Sequence, residues 1–348
     1  YKMGVPYFFG WLLRKYKKNN IIIPHIDKKI DVLYLDSNCL FHPQCFKVID
    51  LNENIKSIDN LEKKMFKRIL EYIDFLIEYC NPRKEVFISV DGVAPLAKMN
   101  QQRKRRFRSV QDKVIFDNIK KKHKKNKKID WSNTVITPGT SFMEKLNNEI
   151  IRHFKNHELK ITLSSFHVPG EGEHKILDDI RKKNNDDVNV IYGLDADLIF
   201  LSMASQKNNM YLLREETEVN RKKKSLLEDK ESIEEEMIFV SIDEMKKCYI
   251  KKLKELIITK SNNKLISYKF DNKNLINDFI VICFFLGNDF LPHIPSINIK
   301  NYGLDNLIDA YIYSFLKTRK YLFDIDNNSI NMDVFKHFLD LLSKKEDG

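Results

Sequence analysis

The sequence predicts an α/β protein with a mostly parallel central sheet flanked by helices. Three segments carry this prediction: Asp31 to Asp36 (DVLYLD), Glu85 to Asp91 (EVFISVD) and Asn189 to Asp195 (NVIYGLD). Each is a short apolar run of the kind that makes a strand buried on both faces, and segments of helical periodicity separate them. Strands that alternate with helices pair in parallel. Each of the three runs also ends on an acid. In open sheets of this kind ligands bind at the carboxyl ends of the strands, so the pattern alone puts acids at the functional edge.

The elements follow in chain order. Residues 6–17 mix apolar and basic side chains at helical spacing and read as a short amphipathic helix. After the first strand, residues 60–80 form a long helix with Leu61, Met65, Ile69, Ile73 and Leu76 on one stripe. After the second strand, Pro95 opens a helix over about 96–126. The third strand leads into a helix from about 197, and residues 278–287 are a very apolar helix or buried segment followed by Gly287-Asn288-Asp289. Two stretches read as solvated insertions: about 119–130, holding the lysine run Lys120 to Lys128, and 215–236, dense in Glu, Lys and Arg. No internal repeat is visible.

Composition narrows the class. The chain has 348 residues, is 43% hydrophobic and carries only 10 Gly and 9 Pro, which excludes global disorder and collagen-like structure. Cys39, Cys45, Cys80, Cys248 and Cys283 form no CxxC pair and read as ordinary thiols of a reducing compartment. The net charge of +11 points to an anionic partner, nucleic acid first, against the simpler reading of a lysine-rich composition. The longest apolar run, Phe279 to Leu286, is far short of the ~20 residues of a membrane span. Gly4, Pro6 and Gly10 interrupt any signal-peptide core, and Met3 reads as the natural start. Met3-Gly4 opens a myristoylation motif that Phe8 fails to complete. The expectation is a soluble intracellular protein, cytoplasmic, with a nuclear location as the alternative.

The candidate catalytic acids are Asp36, Asp91, Glu171, Glu173, Asp195, Asp197 and Asp289. A single Asp at a strand end is ordinarily a cap or turn residue. A converging set is different, because mutual repulsion would raise the pKa values or open the site unless cations are bound. Oxygen ligands with no Cys or His cluster suit Mg²⁺, with Mn²⁺ as the alternative. Two such ions about 4 Å apart form the arrangement that hydrolyses phosphodiesters. His174 follows the acids of Pro169-Gly-Glu-Gly-Glu-His-Lys175 and reads more readily as a supporting residue than as a base. The GxG there is no dinucleotide loop, because it would set two carboxylates where a pyrophosphate must sit.

Residues 98–108 (KMNQQRKRRFR) place Lys98, Gln102, Arg105 and Arg106 at i, i+4, i+7 and i+8, on one helix face. That helix begins just after Asp91, so its first turns lie near the acidic edge. A lysine, an amide and two arginines on one face suit a terminal phosphate; a merely solvated basic helix is the alternative.

These residues resemble the Xrn/Rat family of 5′→3′ exoribonucleases. The similar stretches are MGVPYFFGWL at 3–12, LYLDSNCLFH at 33–42, VDGVAPLAKMNQQRKRRFRS at 90–109, ITPGTSFM at 136–143, VPGEGEHKI at 168–176, IYGLDADLIFL at 191–201, LLREE at 212–216 and GNDFLPHIPS at 287–296. They occur in the family's order and span residues 3–310. The resemblance implies a PIN-like, FEN/Xrn-type α/β nuclease core over 3–310, with two Mg²⁺ held by the seven acids. It implies that Lys98, Gln102, Arg105 and Arg106 hold the 5′-monophosphate of single-stranded RNA, and that His42 stacks on the first base.

Departures from the family pattern are Leu96 in place of Arg, and Ser37 and Cys39 in place of Met and Gly. Family enzymes also carry a second core region, toward which 311–348 would extend as helices. The chain ends at Gly348, so that region is expected on a second polypeptide or outside this piece. Two other readings stay open at this point. One is a structure-specific flap DNA nuclease, which the AKMNQQR block disfavours. The other is a truncated, inactive RNA-binding or scaffold fragment.

Overall fold

The computed structural model describes residues 8–16, 20–52, 55, 57–122, 131–184, 186–193, 195, 197–216, 232–287, 294, 297, 299 and 302–346. The chain divides into two compact units, one of 23–194 with 208–240, the other of 1–22, 195–207 and 241–348.

The larger unit is built on the sheet. In chain order its elements are β1 (Ile22–Ile23, at the unit boundary), β2 (Val32–Asp36), α2 (Ser37–Leu51), α3 (Ile58–Cys80), β3 (Glu85–Ser89), α4 (Leu96–Lys122), α5 (Ser141–His153), β4 (Lys160–Ser164), α6 (Gly172–Lys182), β5 (Asn189–Tyr192), β6 (Met210–Glu215) and β7 (Met237–Ser241). The sheet order is β1-β7-β6-β5-β2-β3-β4. The pairs β2·β3, β2·β5, β3·β4 and β5·β6 are parallel, which makes this the mostly parallel α/β architecture that the sequence predicts. The three predicted strands are its centre. Their side chains from Val32 to Leu35 and Val190 to Tyr192 are buried on both faces, as continuous apolar runs require.

Helix α3 shows how pattern becomes packing. Leu61, Met65, Ile69, Ile73 and Leu76 are all fully buried in the core. Ser57 caps its first turn by accepting from the Asn60 amide, and Asn81 ends it in the left-handed conformation at φ 43°. On the same helix, the Tyr72 hydroxyl donates to Glu215 Oε1 at 2.7 Å, and the Tyr192 hydroxyl donates to the same oxygen at 2.5 Å. Burial raises the pKa of the Glu215 carboxyl. Glu215 therefore ends β6 as an interior residue, although the sequence places it at the edge of a solvated insertion. Residues 217–231 of that insertion lie outside the described residues, as do 123–130 of the other.

The smaller unit is helical: α1 (Phe8–Tyr16), α7 (Asp197–Ala204), α8 (Ile242–Lys260), α9 (Asn272–Phe284), α10 (Gly303–Thr318), a β8–β9 hairpin (Phe323–Asp324, Ser329–Ile330) and α11 (Met332–Glu346). Phe8 of α1 packs on Phe200 and Phe279, at ring-centroid distances of 4.5 and 6.2 Å. Asp278 of α9 is fully buried and accepts from Tyr311 Oη at 2.6 Å, Leu322 N at 2.9 Å and Phe323 N at 2.7 Å. Burial pushes its carboxyl up to about 6. Among the described residues no helix is long and apolar enough to cross a membrane.

Candidate functional site

The parallel register sets Asp36, the last residue of β2, opposite Ser89, the last of β3. Asp91 follows two residues later, so both acids lie at the carboxyl edge of adjacent strands. Glu171 is the N-cap residue of α6 and Glu173 lies in its first turn. The helix start is drawn tightly into that edge. The Gly172 amide donates to Asp91 Oδ1 at 2.6 Å, and Ser89 Oγ donates to the Gly172 carbonyl at 2.9 Å. A Cβ at position 172 would lie 3.0 Å from Asp36 Oδ1 and 3.3 Å from Asp91 Oδ1. Both carboxylates thus crowd one point at the positive end of the α6 dipole, which favours anions.

The loops that carry these acids are stitched together. Gly92 N donates to Gly170 O and Gly170 N to Val93 O, each at 2.9 Å. Gly170 takes φ +105°, a conformation that suits only glycine, and a Cβ on Gly92 would meet Val168 O at 2.0 Å. Asn38 Oδ1 accepts from Asp91 N at 3.2 Å. Lys175 Nζ reaches Val90 O at 2.8 Å and Ser165 O at 2.9 Å, tying the ends of β3 and β4 together. Burial pushes its ammonium down to about 8.

Cations meet the acids here. Lys98 Nζ lies 2.9 Å from Glu171 Oε1, with both residues buried. Burial raises the pKa of the Asp91 carboxyl, as does the charge of Glu171, while the Gly172 amide, Lys98 and Lys175 oppose the shift. Glu171 Oε2 is buried and accepts no hydrogen bond among the described residues. His174 Nδ1 stands 3.7 Å from Glu171 Oε2. One ligand atom each of Glu171, Glu173 and His174 lies within 4.8 Å of the others. A buried, unsatisfied carboxylate oxygen beside a second carboxylate and an imidazole fits a divalent cation. The sequence reading used oxygen ligands alone; the placement of His174 adds a nitrogen to the set. The local signal for it is its i, i+3 spacing from Glu171, which the first turn of α6 converts into proximity.

The basic face is present on α4. Lys98 is buried, Gln102 and Arg106 are half-buried, and Arg105 is exposed. Arg106 Nη2 donates to Gln102 Oε1 at 3.5 Å. His42 lies on α2, and its imidazole is pushed down to about 4, first by burial and then by the charge of Arg105. At neutral pH it is therefore an uncharged ring beside the basic face.

The structure thus brings together Asp36, Asp91, Glu171, Glu173 and Lys98, and it places His42 within the field of Arg105. Asp195 and Asp197 belong to the other unit, Asp195 after β5 and Asp197 as the first residue of α7. Asp289 lies outside the described residues.

Comparison with known proteins gives this site its relatives. Residues 3–216 match the model described as XRN 5'-3' exonuclease N-terminus, and residues 269–348 match that described as Xrn1 helical domain. The chain is 35% identical to the 5'-3' exoribonuclease 2 of Debaryomyces hansenii over 99% of its own length and 38% of that protein. It is 35% identical to the human 5'-3' exoribonuclease 1 over 98% of its own length and 20% of that protein. The chain therefore spans less than half the length of these relatives. Among solved structures, the catalytic core of Rad2 in complex with DNA substrate aligns with 98% of this chain and 81% of that one, at 12% identity and a TM-score of 0.43. With the first family model covering most of the chain, it belongs to the XRN 5'-3' exonuclease family.

Proposed function

We propose that this chain is the nuclease region of a 5′→3′ exoribonuclease that removes mononucleotides from RNA bearing a 5′-monophosphate. The observation that supports it best is the ion pair between Lys98 and Glu171, which makes the basic face of α4 and the acids around α6 immediate neighbours. A phosphate-holding surface beside a cluster of carboxylates is what removal of a terminal nucleotide requires.

In this reading two Mg²⁺ ions, or Mn²⁺, are held by Asp36, Asp91, Glu171 and Glu173 together with Asp195, Asp197 and Asp289. They supply an activated water and stabilise charge on the transferred phosphate. The remaining steps belong to the protein. Lys98, Gln102, Arg105 and Arg106 hold the terminal phosphate, the arginines through multidentate contacts. His42 offers its neutral ring to the first base. A triphosphate or cap overfills the pocket and is rejected. After each cut the new 5′-phosphate occupies the same pocket. Family membership supports the roles of Asp195, Asp197 and Asp289. The five cysteines are all free thiols, which supports a reducing compartment such as the cytoplasm.

The test is incubation of the chain, and of a longer form with the second region, with 5′-monophosphate and 5′-triphosphate RNA, with and without Mg²⁺. Mononucleotide release from the monophosphate substrate alone, lost in Asp195→Ala/Asp197→Ala with RNA binding retained, is the expected result. Cleavage by the longer form that ignores the 5′ end, or that prefers flap DNA, sinks the reading.

A further inference from the structure

Beyond its basic face, α4 carries a second surface that the proposed chemistry does not use. From Phe107 to Lys122 none of the described side chains is buried. Yet Phe107 is 66% exposed, Val110 53%, Val114 56% and Ile115 56%. These four stand at i, i+3, i+7 and i+8 and so line one side of the helix. Phe116 and Ile119 are exposed as well. The two phenylalanines alone show on the order of 100 Å² each. Phe107 with Val110, Val114 and Ile115 makes a contiguous apolar stripe on one side of the helix, while Phe116 stands on the opposite side. Four of the apolar residues in this half are β-branched, and such residues favour helix weakly. Most helical stability comes from packing an apolar face, and among the described residues every apolar side chain on this face is exposed.

We propose that this face of α4 docks an acidic amphipathic helix of a separate protein. The spacing of the anchors is that by which one helix seats against another. Charge selects the partner. Arg103, Lys104, Arg108 and Lys122 border the stripe and are exposed, and Asp112 and Asp117 are the only acids on the helix. A helix with a leucine stripe edged by glutamates complements this surface. A second copy of α4 would set cation against cation. RNA would gain from the cations and from Phe107, but Val110, Val114 and Ile115 offer no plane for a base and no hydrogen bond. An anionic membrane attracts basic amphipathic helices, but through broad apolar faces rather than through discrete anchors at fixed register.

The test uses the full 348-residue chain and, as probe, a fluorescein-labelled synthetic peptide of about three heptads, with leucine at the core positions and glutamate beside them. Fluorescence anisotropy should show saturable binding that weakens several-fold between ~50 and ~300 mM salt. Hydrogen exchange should slow at residues 107–119 when the peptide is present. Phe107→Ser/Val114→Ser should lower peptide affinity at least ~10-fold, with Tm and RNA affinity unchanged. Arg108→Glu/Lys122→Glu, which leaves the apolar stripe intact, should weaken binding chiefly at low salt. Absence of binding, or equal binding by all variants, overturns the proposal. So does a dimer that Phe107→Ser/Val114→Ser dissolves, or sedimentation with phosphatidylserine vesicles that the peptide fails to displace.

Discussion

Replacing Lys98 with methionine removes the ammonium that lies 2.9 Å from Glu171 Oε1, inside a site where Lys98 is 4% and Glu171 5% exposed. At that depth solvent does not substitute for the lost partner. Glu171 already has one carboxylate oxygen without a hydrogen bond, and the substitution strips the second of its cation. Breaking a buried pair from one side costs about 3–5 kcal/mol, because the orphaned charge stays buried. The cost also reaches Asp91, whose ionised form Lys98 favours and Glu171 disfavours. In metal-free buffer at pH 7 the expected loss in Tm is roughly 6–15 °C, at about 2–3 °C per kcal/mol for a chain of this size. The second step is decisive. Lys98→Met/Glu171→Gln removes both charges and should return to within about 1–2 kcal/mol of the wild type, giving a coupling of at least ~2 kcal/mol in a double-mutant cycle. Millimolar Mn²⁺ should raise the Tm of Lys98→Met more than that of the wild type, since the cation replaces the missing ammonium. A loss under ~1 kcal/mol for Lys98→Met, or additive effects in the double variant, refutes the claim that the two charges depend on each other.

Other perturbations follow from the same geometry. Gly92→Ala drives a Cβ against Val168 O at 2.0 Å, a clash with backbone that only loop movement relieves; it should cost about 3 kcal/mol or more, seen as a low Tm or poor soluble yield, and a wild-type Tm would contradict it. Asp278 is protonated more readily in the folded chain, at about 6 against 3.8. Folding is therefore favoured below the lower value and weakens as pH rises to the upper one, by about 3 kcal/mol in all. Urea midpoints at pH 4 and 6.5 should show that decline in the wild type and a flatter profile in Asp278→Asn. His42→Ala should lower affinity for 5′-phosphorylated oligoribonucleotides by about 1–3 kcal/mol while His42→Phe retains it. With the imidazole at about 4, His42's contribution should stay constant from pH 5.5 to 8, and a step near 6.5 that His42→Phe removes would count against an uncharged ring.

The parts of the fold that the sequence makes legible are those where one pattern dominates. The stripe of α3 and the doubly buried strands β2, β3 and β5 are continuous signals with no competing reading. Strands β6 and β7 are harder to see, because the charge-rich stretch between them colours the whole region 215–236 as surface. β4 (KITLS) is short and only half-buried, so its apolar content is too slight to stand out. Helix α2 hides behind Pro43, which argues against a helix interior yet lies within this one. In the site, Asp36 and Asp91 are visible because strands end on them. The meeting of Lys98 with Glu171 depends on how α4 and α6 enter the sheet edge, which no local spacing encodes; that of His174 with Glu171 is an i, i+3 pair set by α6 alone.

The single oxygen of Glu215 that receives both Tyr72 and Tyr192 has a mechanical consequence. Tyr72 belongs to α3 and Tyr192 to β5, so the carboxylate works as a pin that stops α3 rolling about its long axis. Helix α2 rests on α3 and carries both Asn38, which receives the Asp91 amide, and His42. The seat of α2, and with it the position of His42, thus rests on three interior side chains.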